Sequence, residues 1–192
     1  SSEKWRDDVN KYSWGKTEIK EKDKNEDFTT FLTAFETKHI QPKPSGRFSN
    51  DKIIFGNMFH EFMSKIEFES DYFKEKNDLN LSISVNKSIK KQVLTLSKKV
   101  IEHPDLKQYF SKKHTVYCEQ EIFTESKAII KPDRLVFLTS NRVVLIDYKT
   151  GEKSKKDKQQ VLKYQKNLEK MGYKIEASIL VYVDSSVDLV NV

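Results

Sequence analysis

Between Thr115 and Tyr148 the chain carries three short segments rich in β-branched and aromatic residues: Thr115 to Phe123, Ala128 to Leu138 and Arg142 to Tyr148. Such segments read as strands, and Thr139-Ser140-Asn141 is a tight turn that makes the last two an antiparallel hairpin. Helical stripes flank them. After Gly56, the residues Met58, Phe59, Phe62, Met63 and Ile66 recur at spacings near three and four, and Ile89, Val93, Leu96 and Val100 do so over Lys87 to Glu102. His103-Pro104 ends that second helix, because proline cannot continue it and biases the preceding residue away from helix. A third helix, from about Lys156 to Met171, places Val161, Tyr164, Leu168 and Met171 on one face, with Gly172 as its C-terminal cap. Ile175 to Val183 is a strongly apolar strand, and Val187 to Val192 alternates like an edge strand. The order helix, helix, three strands, helix, strand, strand predicts an α/β fold, a mixed central sheet of about five strands flanked by helices.

A length of 192 residues suits one domain with an extension. Residues 1–50 are polar, carry both signs of charge and end in Gln41-Pro42-Lys43-Pro44-Ser45-Gly46, so they read as an extension or linker ahead of a domain over 51–192. Apolar patches at Phe28 to Phe35 and at Trp5 and Trp14 suggest that the extension docks on something. No apolar run approaches the ~20 residues that span a bilayer, and the N-terminus lacks a signal-peptide layout, so no membrane partner is expected and the location is expected to be cytoplasmic. A single cysteine, Cys118, excludes an internal disulfide, a cysteine zinc cage and an iron–sulfur cluster. The net charge of +6 suits a polyanionic partner only if it lies beside a site that handles phosphates.

Two carboxylates and a lysine carry the chemistry. Asp133 follows Pro132 in the first hairpin strand, and Asp147 and Lys149 end the second, Val143-Val144-Leu145-Ile146-Asp147-Tyr148-Lys149. Side chains alternate along a strand, so Asp147 and Lys149 project from one face. By the same alternation Asp133 shares a face with Ile129 and Leu135, and Asp147 with Val143 and Leu145. Acids at the end of apolar rows need a counter-charge, a hydrogen-bond network or a metal. Pro132 removes a ladder hydrogen bond, so the strands are expected to part near Asp133 and leave room for a cation between the acids. Any one aspartate at a strand end is ordinarily a simple terminator. The combination is far more specific.

These residues resemble the motifs of the PD-(D/E)XK nuclease superfamily, in its RecB-like branch. Asp133-Arg134 matches the second motif, Asp147-Tyr148-Lys149-Thr150-Gly151 the third, Gln160-Val161-Leu162-Lys163-Tyr164 the helical Gln-x-x-x-Tyr, and Gly56-Asn57-Met58-Phe59-His60 the upstream histidine motif. The four stand in order across roughly Ile53 to Val192. A glycine common before the second-motif aspartate is replaced here by Ile130-Lys131-Pro132.

The resemblance implies a restriction-endonuclease-like sheet and a Mg²⁺- or Mn²⁺-dependent deoxyribonuclease, an exonuclease by expectation. It implies that His60, Asp133, Asp147 and the main-chain carbonyl of Tyr148 hold the metal, that Lys149 orients or deprotonates the attacking water, and that Gln160 and Tyr164 support the site or contact DNA. A lone histidine on an aromatic-rich helix is more often a buried, hydrogen-bonded residue; the motif raises His60 above that. Glu119 and Glu121 lie on one face of the preceding strand, within reach of the site or in structural ion pairs. Lys153, Lys155, Lys156 and Lys158, leaving the strand that ends in Lys149, are expected to meet DNA phosphates without reading sequence. The chain begins without Met and carries no Walker A motif, so it is expected to be the nuclease piece of a bacterial RecB/AddA-type helicase–nuclease for recombination and double-strand-break repair, partnered by a helicase domain. The alternatives are a stand-alone nuclease and an inactive DNA-binding or scaffold module of the same fold.

Overall fold

The computed structural model describes residues 47–81, 86–124 and 127–192. The expected extension over 1–50 and its aromatic patches fall almost wholly outside these residues, and residues 50–192 make a compact unit. Its elements are α1 (Arg47–Ser64), α2 (Asp71–Leu81), α3 (Lys87–Ile101), a 3₁₀ turn (Lys107–Phe110), β1 (Thr115–Cys118), β2 (Ile122–Phe123), β3 (Ile129–Ile130), β4 (Arg134–Phe137), β5 (Arg142–Lys149), α4 (Lys155–Lys170), β6 (Lys174–Val183) and β7 (Val187–Asn191).

Five strands form one mixed sheet in the order β1-β4-β5-β6-β7. Only β5 and β6 run parallel, because α4 carries the chain back between them; the other neighbours are antiparallel. Residues 143–148 of β5 are buried without a break, the mark of a strand covered on both faces. One face, with Val136, Val144, Ile146, Tyr148, Ile179 and Val181, packs against Phe55, Phe59, Phe62, Met63 and Ile66 of α1 and its end and against Ile89, Val93, Leu96 and Val100 of α3. The other, with Leu135, Val143, Leu145 and Leu180, lies towards α4, whose Val161, Tyr164 and Leu168 are buried.

The helix ends follow local chemistry. Asn86 caps α3 by accepting the amide of Ser88, and Ser154 and Asp157 form a reciprocal capping box on α4. Gly172, at φ +90°, ends α4 as expected: its N–H reaches Glu169 and the N–H of Tyr173 reaches Leu168, a Schellman closure.

Three local expectations are corrected. The segment Thr115 to Phe123 is two strands, split at Glu119, whose φ of +48° is left-handed. Ala128 to Leu138 is also two strands, parted around Pro132, so Asp133 lies between β3 and β4 and shares no continuous face with Ile129, which is exposed. The helix α2 has no counterpart in the sequence reading, because Asp71–Leu81 is polar and, over residues 71–79 whose side chains are described, only Tyr72 is fully buried. No helix among the described residues is long and apolar enough to cross a membrane.

Candidate metal centre at the β4–β5 fork

The site begins where the sheet opens. Pairing of β1 with β4 stops at Cys118 and Arg134, and pairing of β4 with β5 stops at Arg134 and Ile146. Proline at 132 has no N–H to extend the ladder. The N–H of Glu119 donates to the carbonyl of Asp133 (2.9 Å), which closes the base of the separate β2–β3 ribbon. β5 therefore runs on past β4 by Asp147, Tyr148 and Lys149. The carboxylate of Asp133 fills the gap, with Oδ2 accepting the backbone N–H of Tyr148 at 2.7 Å.

Three elements converge on this fork. His60, from α1, brings Nδ1 to 3.4 Å from Asp133 Oδ1. One ligand atom each from His60, Glu119 and Asp133 all lie within 4.8 Å of one another. On β5, Lys149 Nζ stands 2.7 Å from Asp147 Oδ2, so the two do share a face. Asp147 is almost wholly buried, and among the described residues Lys149 is the counter-charge in contact with it. From α4, Gln160 Oε1 accepts Lys149 Nζ at 2.9 Å while Gln160 Nε2 donates to the Tyr164 hydroxyl at 2.6 Å. The fork thus holds two sets: His60 pairs with Asp133, and Asp147, Lys149, Gln160 and Tyr164 form a second connected set. The Tyr148 N–H accepted by Asp133 links the two, and Asp147 is not among the ligand atoms that cluster with His60, Glu119 and Asp133.

Its electrostatics are unbalanced. Burial, then repulsion from Asp133, pushes the Asp147 carboxyl up to about 6, and the pull of Lys149 and His60 does not offset this. For Lys149, burial acts downward, but the Asp147 carboxylate outweighs it and holds the ammonium above its ordinary value. The same contest settles His60: burial lowers it, whereas Asp133, Asp147 and Glu119 together raise it. Tyr164 is raised by burial and keeps its proton near neutrality. Asp133, Asp147 and Glu119 crowd one region, and together they raise the imidazole while Asp133 raises the Asp147 carboxyl. One imidazole and several carboxylate oxygens form a donor set that suits Mg²⁺ or Mn²⁺.

Glu119 joins His60 and Asp133 in this cluster, while Glu121 is exposed. The left-handed turn at Glu119 accompanies that placement; Glu119 Oε2 also pairs with Lys131 Nζ at 2.6 Å. Gly56 is buried against the end of β5, where an added Cβ would stand 2.7 Å from Thr150 Oγ1. Two motif segments far apart in sequence thus meet at a contact that only glycine permits without a shift.

Lys153 pairs with Asp188 at 3.5 Å and lies over the Tyr182 ring, whereas Lys155, Lys156 and Lys158 lie on the first turns of α4, whose start agrees with the expected one to a residue. The Ser154–Asp157 capping box starts the helix there. A cavity of about 320 Å³ adjoins Thr150 and Gly151, and its acids Asp51, Glu152 and Asp184 against one lysine, Lys52, make it a poor phosphate seat. No protein-family model matches the chain, and no curated protein sequence matches it.

Proposed function

We propose that this chain is a metal-dependent deoxyribonuclease of the PD-(D/E)XK type, with a restriction-endonuclease-like core, working as the nuclease module of a RecB/AddA-type helicase–nuclease. The observation that carries this reading is the fork, which brings His60 and Asp133 within 3.4 Å and keeps Asp147 buried, where Lys149 does not offset burial and the repulsion of Asp133. A buried carboxylate with one counter-charge and a repelling neighbour is costly, and a site built to accept a cation is a physical reason for it. The ordered sequence motifs add support of a different kind.

In this reading His60, Asp133 and Asp147 hold a Mg²⁺ or Mn²⁺ ion, Glu119 lies within reach of it, and the resemblance adds the Tyr148 carbonyl. The ion, when bound, supplies charge neutralisation at the phosphate and acidifies water for attack. The chain's own residues do the rest. Lys149, held between Asp147 and Gln160, neutralises developing charge and orients water. Gln160, fixed by the Tyr164 hydroxyl, holds Lys149 from its second side. Exposed Lys155, Lys156 and Lys158 stand at the start of α4, whose N-terminus favours anions, and would contact flanking phosphates.

The test is cleavage of end-labelled single- and double-stranded DNA by the chain with Mn²⁺ or Mg²⁺ and with EDTA, beside Asp133→Ala. Metal-dependent cutting that Asp133→Ala loses supports the reading. Absence of cutting by the folded wild-type chain supports the inactive scaffold instead.

A further inference from the structure

The β2–β3 ribbon grows out of the candidate metal centre. Glu119 and Asp133 sit at its two feet, joined by the Glu119 N–H to Asp133 carbonyl bond of 2.9 Å. Its two cross-strand pairs face opposite ways. Ile122 and Ile130 are partners and both are buried, so they seat the ribbon on the domain. Phe123 and Ile129 are also partners, and they are 57% and 54% exposed. Period-two alternation requires this opposition. What it does not require is an aromatic and a branched aliphatic side by side on the open face. An exposed strand position there would ordinarily be polar.

The size of this patch limits what can cover it. The two side chains expose on the order of 200 Å² of apolar surface together, while a stable protein partner needs ~800 Å² per side. One or two flat rings fit. Phe123 lies four positions after Glu119, a fully extended reach of at most about 14 Å. At the ~3.4 Å spacing of stacked nucleotides, that is within about four nucleotides of the metal centre. Lys127 is exposed at the ribbon's turn, while at its base Lys131 is paired with Glu119, and Glu121 is exposed, so the ribbon's charge is mixed and its apolar pair is the distinguishing feature.

We infer that the open face of the ribbon, Phe123 with Ile129, stacks against unpaired bases of a single nucleic-acid strand and so selects single-stranded over duplex substrate. The inference rests on the nuclease reading above and names its substrate class. Every base has a π-face, so contact of this kind is indifferent to sequence, whereas bases paired within a duplex are unavailable to it.

Binding of a fluorescein-labelled 12-mer oligo(dT), and of a blunt-ended DNA duplex without a loop, to the full chain in EDTA tests it, with Mn²⁺-dependent cleavage recorded in parallel. Phe123→Ala is expected to weaken oligo(dT) binding about 10-fold or more, within the range for loss of one aromatic stack. Ile129→Ala follows in direction. Phe123→Trp keeps wild-type affinity, and Phe123→Leu, which stays apolar but loses the π-face, resembles the alanine variant. Duplex affinity and the salt dependence of binding stay unchanged, because phosphate contacts are untouched. Equal oligo(dT) affinity in wild type, Phe123→Ala and Phe123→Leu, in a chain that still cuts DNA, overturns the inference and leaves the nuclease reading standing. A change in self-association in place of oligonucleotide affinity also overturns it, with a second copy as occupant. A wild-type chain that neither binds nor cuts DNA removes both.

Discussion

Arg134 and Asp147 are both buried charges, and they stand almost side by side: Arg134 pairs across the sheet with Ile146, the residue before Asp147. Their surroundings are opposite. The Arg134 guanidinium donates to the carbonyls of Ile66 (2.7 Å), Glu67 (2.6 Å) and Tyr109 (2.9 Å), and its carbon lies 4.0 Å over the Phe110 ring. It stitches the turn after α1 and the 3₁₀ turn to the edge of the sheet. Asp147 has one counter-charge, Lys149 at 2.7 Å, and a repelling Asp133. Arg134 spends its two terminal nitrogens on three carbonyls, though its Nε is buried without a hydrogen bond, whereas Asp147 has one counter-charge and one repelling neighbour. The first charge is held by the main chain of the fold. The second is the one whose burial a bound cation would offset, in the reading proposed above.

That contrast can be broken most forcefully at the chemical step. Lys149→Ala and Asp147→Ala are expected to lower metal-dependent DNA cleavage by about 10²–10⁴-fold, the range for removing one acid–base or charge-stabilising group. Thermal melting of both variants stays within a few degrees of wild type. A variant that loses its fold together with activity would make Asp147 a second Arg134. At Arg134 the pattern reverses. Arg134→Met strands three carbonyls and is expected to cost about 3–5 kcal/mol of stability in a denaturant titration. A loss below about 1 kcal/mol would remove its structural role.

The pH dependence sharpens the comparison from the Asp147 side. Its carboxyl titrates near 6 in the fold against 3.8 when free, so the folded chain holds that proton more tightly. This contribution favours the fold fully below about pH 4 and is lost as pH rises through about 6. In metal-free protein, Asp147→Asn is therefore expected to be more stable than wild type above pH 6, by on the order of 1–3 kcal/mol, and to converge with it below pH 4. Denaturation midpoints of the two across pH 3.5–8 check this. The smallest effect is at Gly56. Gly56→Ala gains up to ~1 kcal/mol of helix propensity, but its methyl would meet Thr150 Oγ1 at 2.7 Å. The single variant is expected to melt at or below wild type, and Gly56→Ala with Thr150→Ala above the single.

The sequence made the strands and the chemistry of the fork legible for a physical reason. Apolar runs ending in Asp147-x-Lys149, and a proline before Asp133, are local signals of where a sheet is buried and where its ladder fails. What it could not carry was anything decided at long range. Arg134 looked like half of a motif, and its carbonyl partners at Ile66 and Glu67 lie more than sixty residues away. Glu119 stood out only as one of two acids on a strand face; its left-handed backbone, rare for a glutamate, ends β1 and joins it to His60 and Asp133. The glycine of the histidine motif was visible, but not the Thr150 oxygen that requires it. The polar α2 has no periodic stripe strong enough to announce a helix.

The central claim, that Asp147 is left short of partners because a cation completes it, is tested most directly by calorimetric titration of Mn²⁺ into the metal-free chain at pH 7.5, beside Asp147→Asn. Saturable binding to wild type that is lost or strongly weakened in Asp147→Asn, while Arg134→Lys binds as wild type if folded, is the expected result. Equal Mn²⁺ binding by wild type and Asp147→Asn, or none by the folded wild-type chain, would contradict it.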